Sequence, residues 1–206
     1  MGKLLELLEK LVRAIFGPGD EQDTGEPEPA PQAPKAEAVT GWEGDPPYRY
    51  IDVSRYQGLI DWAQVAAAGY KGAMLKTVST NPKLSKRADG LYIDPTFEGN
   101  YRNARAAGLD VGVYYYTYAT SEAMADEELA MLRQAVYGKE FSLPVCVDVE
   151  ENKLKQLSTL DLSNLTAYAL EQVEKMGFYA QLYTYTGYKY ELDMARLSSR
   201  WDVWLG

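Results

Sequence analysis

Phe141-Ser142-Leu143-Pro144-Val145-Cys146-Val147-Asp148-Val149-Glu150 is a short apolar run, opened by Ser-Leu-Pro, that ends in two acids. Its β-branched content and its lack of polar alternation describe a parallel strand covered on both faces. An ionised carboxylate in such a strand is costly unless something uses it. Residues two apart on a strand face the same way, with Cα atoms about 6.6 Å apart, so Asp148 and Glu150 are aimed at one place.

Outward from this strand the pattern repeats. From Tyr48 onward, candidate strands at 49–54, 71–78, 110–118, 143–150, 178–185 and 201–206 alternate with helical stretches around 61–68, 95–107, 121–136, 162–176 and 192–199. Three of these helices end at Ala68-Gly69, Ala107-Gly108 and Met176-Gly177, each followed at once by a strand. Glycine there supplies the left-handed cap that turns a helix back toward the sheet. Repeated βα units with short returns predict an α/β fold with a parallel sheet, doubly wound or closed into a barrel. No Gly-rich phosphate loop follows the first strand, which favours the barrel. Barrel sites lie at the C-terminal ends of the strands. Asp52 ends the first strand, Asp148 and Glu150 end the fourth, and Lys76, Tyr116 and Tyr183 come late in the second, third and fifth. Tyr114 and Tyr185 share the alternation of Tyr116 and Tyr183. These tyrosines serve either as barrel core with bonded hydroxyls or as sugar-stacking and hydroxyl-recognising groups.

Composition narrows the chemistry. At 206 residues, 46% hydrophobic and 12% aromatic, the chain can bury one sizeable core and carry an appendage. Residues 19–45 hold eight acids against Lys35 alone, so most of the net charge of -9 belongs to one segment. No basic stripe is present to neutralise phosphates, which argues against nucleic-acid binding. The chain has no histidine, which removes Ser-His-Asp and Cys-His nucleophiles and His-based zinc sites. Chemistry must run on carboxylates, tyrosines or lysines, with no metal and no cofactor expected. Cys146, the single cysteine, reads as a small core residue.

Residues 4–16 place Leu4, Leu5, Leu7, Leu8, Leu11, Val12, Ile15 and Phe16 on one helical face before Gly17-Pro18 stops the pattern. A short amphipathic helix over 1–18 is expected, too short to span a membrane and without the small-residue cleavage site of a signal peptide. It packs on the barrel or associates with itself, and weak membrane-surface binding is the sharper alternative. Residues 19–47, acidic and Pro-rich, read as a disordered linker, which leaves 48–206 as the domain.

Several runs together resemble the glycoside hydrolase family 25 lysozymes. They are Tyr50-Ile51-Asp52-Val53-Ser54-Arg55-Tyr56-Gln57-Gly58 with Ile60-Asp61-Trp62, Asp94-Pro95-Thr96-Phe97-Glu98-Gly99-Asn100-Tyr101, Val111-Gly112-Val113-Tyr114-Tyr115-Tyr116, and Pro144 to Glu151. The resemblance covers 48–206. It implies an incomplete TIM-like barrel of five βα units plus terminal strands, which cleaves the β-1,4 bond between N-acetylmuramic acid and N-acetylglucosamine in bacterial peptidoglycan. By family position Glu150 is then the general acid, and Asp148 and Asp52 are supporting carboxylates; Tyr114, Tyr116, Tyr183 and Lys76, from their places late in the strands, are the residues expected to contact substrate. Action on the cell wall follows, outside the cell or during lysis. Tyr115 stands where many members carry histidine. After Trp201-Asp202-Val203-Trp204-Leu205-Gly206 two further strands, carrying another acid, are normal in the family, so the reading expects a C-terminally incomplete domain. The alternative is a non-catalytic sugar-binding remnant of such a barrel; a metal-dependent polysaccharide deacetylase is disfavoured by the missing histidines. The chemistry of the residues agrees with a glycosidase, which needs a protonated carboxyl at the leaving oxygen and a negative charge near the oxocarbenium-like centre.

Overall fold

A computed structural model describes residues 48–206; the expected helix at 4–16 and the linker at 19–47, with the membrane or self-association read from that helix, lie outside the described residues. Six strands form one parallel sheet: β1 (Tyr50–Val53), β2 (Gly72–Lys76), β5 (Asp110–Tyr116), β6 (Val145–Asp148), β7 (Ala180–Thr184) and β8 (Asp202–Leu205), hydrogen-bonded in that order. A separate antiparallel hairpin, β3 (Val78–Thr80) with β4 (Leu91–Ile93), interrupts the return from β2. Five helices, α1 (Trp62–Ala67), α2 (Phe97–Ala106), α3 (Glu122–Val136), α4 (Thr159–Lys175) and α5 (Met194–Ser198), connect the sheet strands.

Strand alternation divides the sheet into two faces. Ala73, Leu75, Val111, Val113, Tyr115, Val145, Val147 and Leu182 point to one face and are buried against helix residues such as Phe97, Leu129, Leu132, Leu170 and Val173. That side is the core. The opposite face is concave. Tyr50 on β1 and Trp204 on β8, the two edges of the sheet, meet edge-to-face with centroids 5.4 Å apart, so the sheet curls until its edges touch through side chains.

The three glycines expected to end helices do so with left-handed backbones, at φ 86° for Gly69, 77° for Gly108 and 89° for Gly177. Three expectations need correction. The strand placed at 71–78 stops at Lys76: Thr77 still gives its N–H to the Tyr114 carbonyl at 2.8 Å, but its own carbonyl turns away from β5 to accept the Asp94 N–H at 2.7 Å. Val78 onward then pairs with β4, a hairpin that the sequence pattern did not reveal. The strand placed at 143–150 pairs only over Val145–Asp148. Leu143 gives its N–H to the Val111 carbonyl at 3.1 Å, Pro144 has no N–H to give, and the Val149 carbonyl is taken by the Thr184 hydroxyl at 2.8 Å. The helix placed at 162–176 starts at Thr159, where the Ser158 side chain caps the Asp161 N–H.

Candidate active site

The floor of the concave face is filled. A Cβ on Gly112 would lie 2.6 Å from Met74 Sδ and 2.7 Å from both Leu143 Cβ and the Pro144 carbonyl, and one on Gly72 would lie 2.8 Å from Leu143 Cδ1 and 2.9 Å from the Tyr48 hydroxyl. Tyr48 is anchored there by a 2.6 Å bond to Asp110, which also accepts from Ser142 at 2.8 Å. The N-terminal end of this face is thus closed by packing that only glycine permits.

That rim carries every site residue expected from the sequence. Asp52, Lys76, Tyr114, Tyr116, Asp148 and Tyr183 alternate onto the concave face, and the pairing sets Lys76 beside Tyr114 and Tyr116 beside Asp148, which in turn is beside Tyr183. Glu150 lies two residues beyond Asp148. The intervening Val149 is buried on the core side, so the alternation continues and Glu150 faces the mouth with Asp148.

Burial grades the three carboxyls. Asp148 is 4% exposed, and its Oδ1 finds no hydrogen-bond partner among the described residues. Burial pushes its pKa far up, the neighbouring Glu150 adds to the rise and Lys76 opposes it. Glu150 is half-buried, and its pKa is raised by burial while Lys76 again opposes. Asp52 lines the open mouth, where water reaches it, yet the surrounding protein raises its pKa. The Tyr114 hydroxyl and Lys76 hold that rise back. Lys76 is the shared counter-charge: the acids pull its pKa up, but burial outweighs them and lowers it. Its ammonium sits over the Tyr116 ring at 4.8 Å and the Tyr114 ring at 5.8 Å from the centroids. Burial pushes the Tyr183 hydroxyl up to about 12. Among the described residues, no three of His, Cys, Asp and Glu cluster closely enough to hold a metal ion.

Side chains behind the rim fix this arrangement, and pattern reading had given them no role. Val149, between the two acids, donates its N–H to the Tyr183 carbonyl at 2.9 Å, and its carbonyl accepts the Thr184 hydroxyl at 2.8 Å. Thr117 donates its N–H to the Asp148 carbonyl at 3.1 Å and its hydroxyl to Glu128 at 2.6 Å. Glu128, on α3, is 2% exposed and also accepts the Tyr118 N–H at 2.8 Å; burial pushes its pKa up to about 7. Asp94 accepts the Arg55 N–H at 2.9 Å and the Thr96 hydroxyl at 2.6 Å, joining the loop after β1 to the start of α2. Only Asp94 carried a local signal, the Asp-Pro-Thr turn before a helix. Trp204 packs on Tyr183 with centroids 4.7 Å apart. Glu151 turns beside the mouth to accept the Tyr116 hydroxyl at 3.3 Å.

A curled parallel sheet with helices outside and carboxyls gathered at its C-terminal rim defines a barrel-type α/β protein with an acid-based site. A family model described as glycosyl hydrolases family 25 matches residues 51–206, and the chain belongs to that family. The uncharacterized protein YegX of Escherichia coli strain K12 is 31% identical over 125 residues, covering 61% of this chain and 43% of its own length. Lysozyme M1 of Streptomyces globisporus is 32% identical over 105 residues, covering 50% of this chain and 32% of its own. This chain therefore spans less than half the length of the curated relatives it matches. A family 25 glycosyl hydrolase from Bacillus anthracis shares the fold with a TM-score of 0.64, at 21% identity, over 77% of this chain and 70% of that one.

Proposed function

We propose that this chain is a lysozyme that hydrolyses the β-1,4 bond between N-acetylmuramic acid and N-acetylglucosamine in bacterial peptidoglycan, acting at the cell wall. The observation that carries the reading is the graded trio of carboxyls on a family 25 barrel, with one lysine among them. Glu150 is the acid that faces the mouth, and its raised pKa keeps it protonated further toward neutral pH, as a general acid requires. It gives its proton to the glycosidic oxygen as the bond breaks. Asp52, which water reaches beside Lys76 and the Tyr114 hydroxyl, supplies negative charge facing the developing oxocarbenium-like centre. Asp148 is walled in, with one oxygen free of partners, and burial raises its pKa well above the ordinary value. It suits hydrogen bonding to the substrate's acetamido group better than attack on carbon. Tyr114, Tyr116 and Tyr183 offer ring faces and hydroxyls to the sugars.

The test is turbidity clearance of purified peptidoglycan by the whole chain, followed by identification of the new reducing end. Release of N-acetylmuramic acid reducing ends is the expected result. Binding without any new reducing end would replace this reading with a non-catalytic sugar-binding one.

A further inference from the structure

On the β1 side of the mouth, just beyond Asp52, the turn after Val53 carries Arg55 and Tyr56. The guanidinium lies over the Tyr56 ring at 4.0 Å from its centroid, and its Nη2 donates to the Tyr56 hydroxyl at 2.7 Å. The Tyr92 hydroxyl stands beside it. Nε of Arg55 is buried and has no acceptor. Among the described residues no carboxylate forms an ion pair with Arg55, whereas Arg87 is paired with Asp89 and Glu127, and Arg200 with Glu171 and Glu174. The turn is held firmly: Ser54 and Gln57 close a capping box, and the Arg55 N–H is fixed to Asp94 at 2.9 Å. The guanidinium is thus set in place by tyrosines without an ion pair; Asp94 acts on it through space, but the Asp94 oxygens are taken by the Arg55 N–H and by the N–H and hydroxyl of Thr96.

Aromatic surface connects this turn to the catalytic rim. Tyr56 is 72% exposed. Tyr56 and Tyr92 lie near Tyr118, whose ring centroid is 5.1 Å from that of Tyr116, and Tyr116 in turn carries Lys76 over its ring. Sugar faces stack on tyrosine rings, and a guanidinium fork matches a carboxylate in two parallel bonds. We propose that Arg55 and Tyr56 form an outlying subsite for a carboxylate carried on the glycan, namely the free carboxylate of a peptide stem attached to muramic acid. The subsite rests on the reading given under Proposed function and makes the chain prefer stem-bearing glycan over a neutral glycan of equal length.

Calorimetric titration of the full chain, with Glu150→Gln to stop turnover, tests it with three ligands. These are a tetrasaccharide bearing peptide stems with free carboxylates, the same compound with the carboxylates amidated, and chitotetraose. The free-acid ligand is expected to bind about tenfold more tightly than its amide, with the preference shrinking at high salt. Arg55→Gln should erase that preference and leave the two neutral ligands within about twofold of their former affinity. Equal affinity for acid and amide overturns the subsite without recourse to any Arg55 variant, as does a loss by Arg55→Gln that is the same for all three ligands. Hydrolysis of peptidoglycan by the unmodified chain with no acid preference overturns the subsite alone. Absence of both hydrolysis and binding overturns the lysozyme reading, and the subsite with it.

Discussion

Asp148 ends β6 and Glu150 lies two residues beyond it, facing the same way, and burial alone separates what each can do. Glu150 faces the mouth, so losing its proton donor while keeping its shape should lower the rate by about two to four orders of magnitude. Glu150→Gln is expected to abolish clearance of peptidoglycan and to leave the thermal transition almost unmoved; more than a tenth of the original rate would refute the assignment. Asp148 is different, because its folded pKa lies well above the ordinary 3.8, and that of Glu128 rises from 4.5 to about 7. Both groups bind their proton more tightly folded than unfolded. The stability they contribute is therefore fully present below about pH 4 and is lost as pH climbs through their raised values. Asp148→Asn should remove its part of this loss and raise the melting temperature at neutral pH, by about 2–4 °C for each ~1 kcal/mol relieved, while activity falls. Melting curves from pH 4 to 8 check it: a variant melting below the parent at neutral pH would mean that the Asp148 charge is compensated. The face that each of these acids occupies was legible in the sequence, since a two-residue period is a local property. Glu128 and Thr184 were not, because the groups they hold lie 11 and 35 residues away.

At the scale of strands, the spacing of the acids depends on how β6 is held by its neighbours. The Val149 carbonyl is buried behind the site and has the Thr184 hydroxyl as its donor. Thr184→Val keeps the shape and strands that carbonyl, at a cost of about 1–3 kcal/mol. The peptide between Asp148 and Glu150 is then released, so kcat should fall severalfold with KM little changed, and Thr184→Ser should restore both. A Thr184→Val enzyme with unaltered kcat would show that the ladder alone sets the spacing. Lower in the same strands, Gly112 admits no side chain: its added methyl would press on the Pro144 carbonyl, which cannot swing aside as a side-chain end can. Gly112→Ala should destabilise the chain by about 1–3 kcal/mol, visible as an earlier urea midpoint. The strands β2, β5 and β7 were readable because each follows a helix return with glycine, and β6 because it is an unbroken apolar run. The β3–β4 hairpin escaped because its strands are three residues long, too short for alternation to register, and because β2 ends where the Thr77 carbonyl turns to the distant Asp94 N–H.

Across the whole molecule, the first described residue to fix the floor of the barrel is Tyr48. Tyr48 bonds to Asp110 and packs under Gly72, so a chain starting at Tyr48 retains the floor of the barrel, whereas one starting at Ile51 loses it. The first should match the full chain on soluble peptidoglycan fragments; a loss of rate would assign residues 1–47 a part in the site. The closure of the curl was not legible, because no local pattern tells which residues of the first and last strands will meet. It depends on Trp204, which lies 4.7 Å from Tyr183 on its own side and 5.4 Å from Tyr50 across the gap, centroid to centroid. β1 and β8 are not hydrogen-bonded to each other, so aromatic contact takes the place of a ladder between the sheet edges. Each such pair contributes about 0.5–1.5 kcal/mol beyond its buried area. Trp204→Ala should therefore cost about 2–4 kcal/mol with the lost area included, while Trp204→Phe should recover most of it. The consequence reaches the chemistry, since Tyr50 is two residues from Asp52 and Tyr183 is paired with Asp148. When the bridge between β1 and β8 is removed, the distance between the Asp52 and Asp148 sides of the mouth is no longer fixed. Activity measured well below the melting temperature should then fall by more than the small loss of folded protein explains. If Trp204→Ala keeps full activity at low temperature, the curl is set by the strands and helices alone, and the aromatic bridge contributes stability but no geometry.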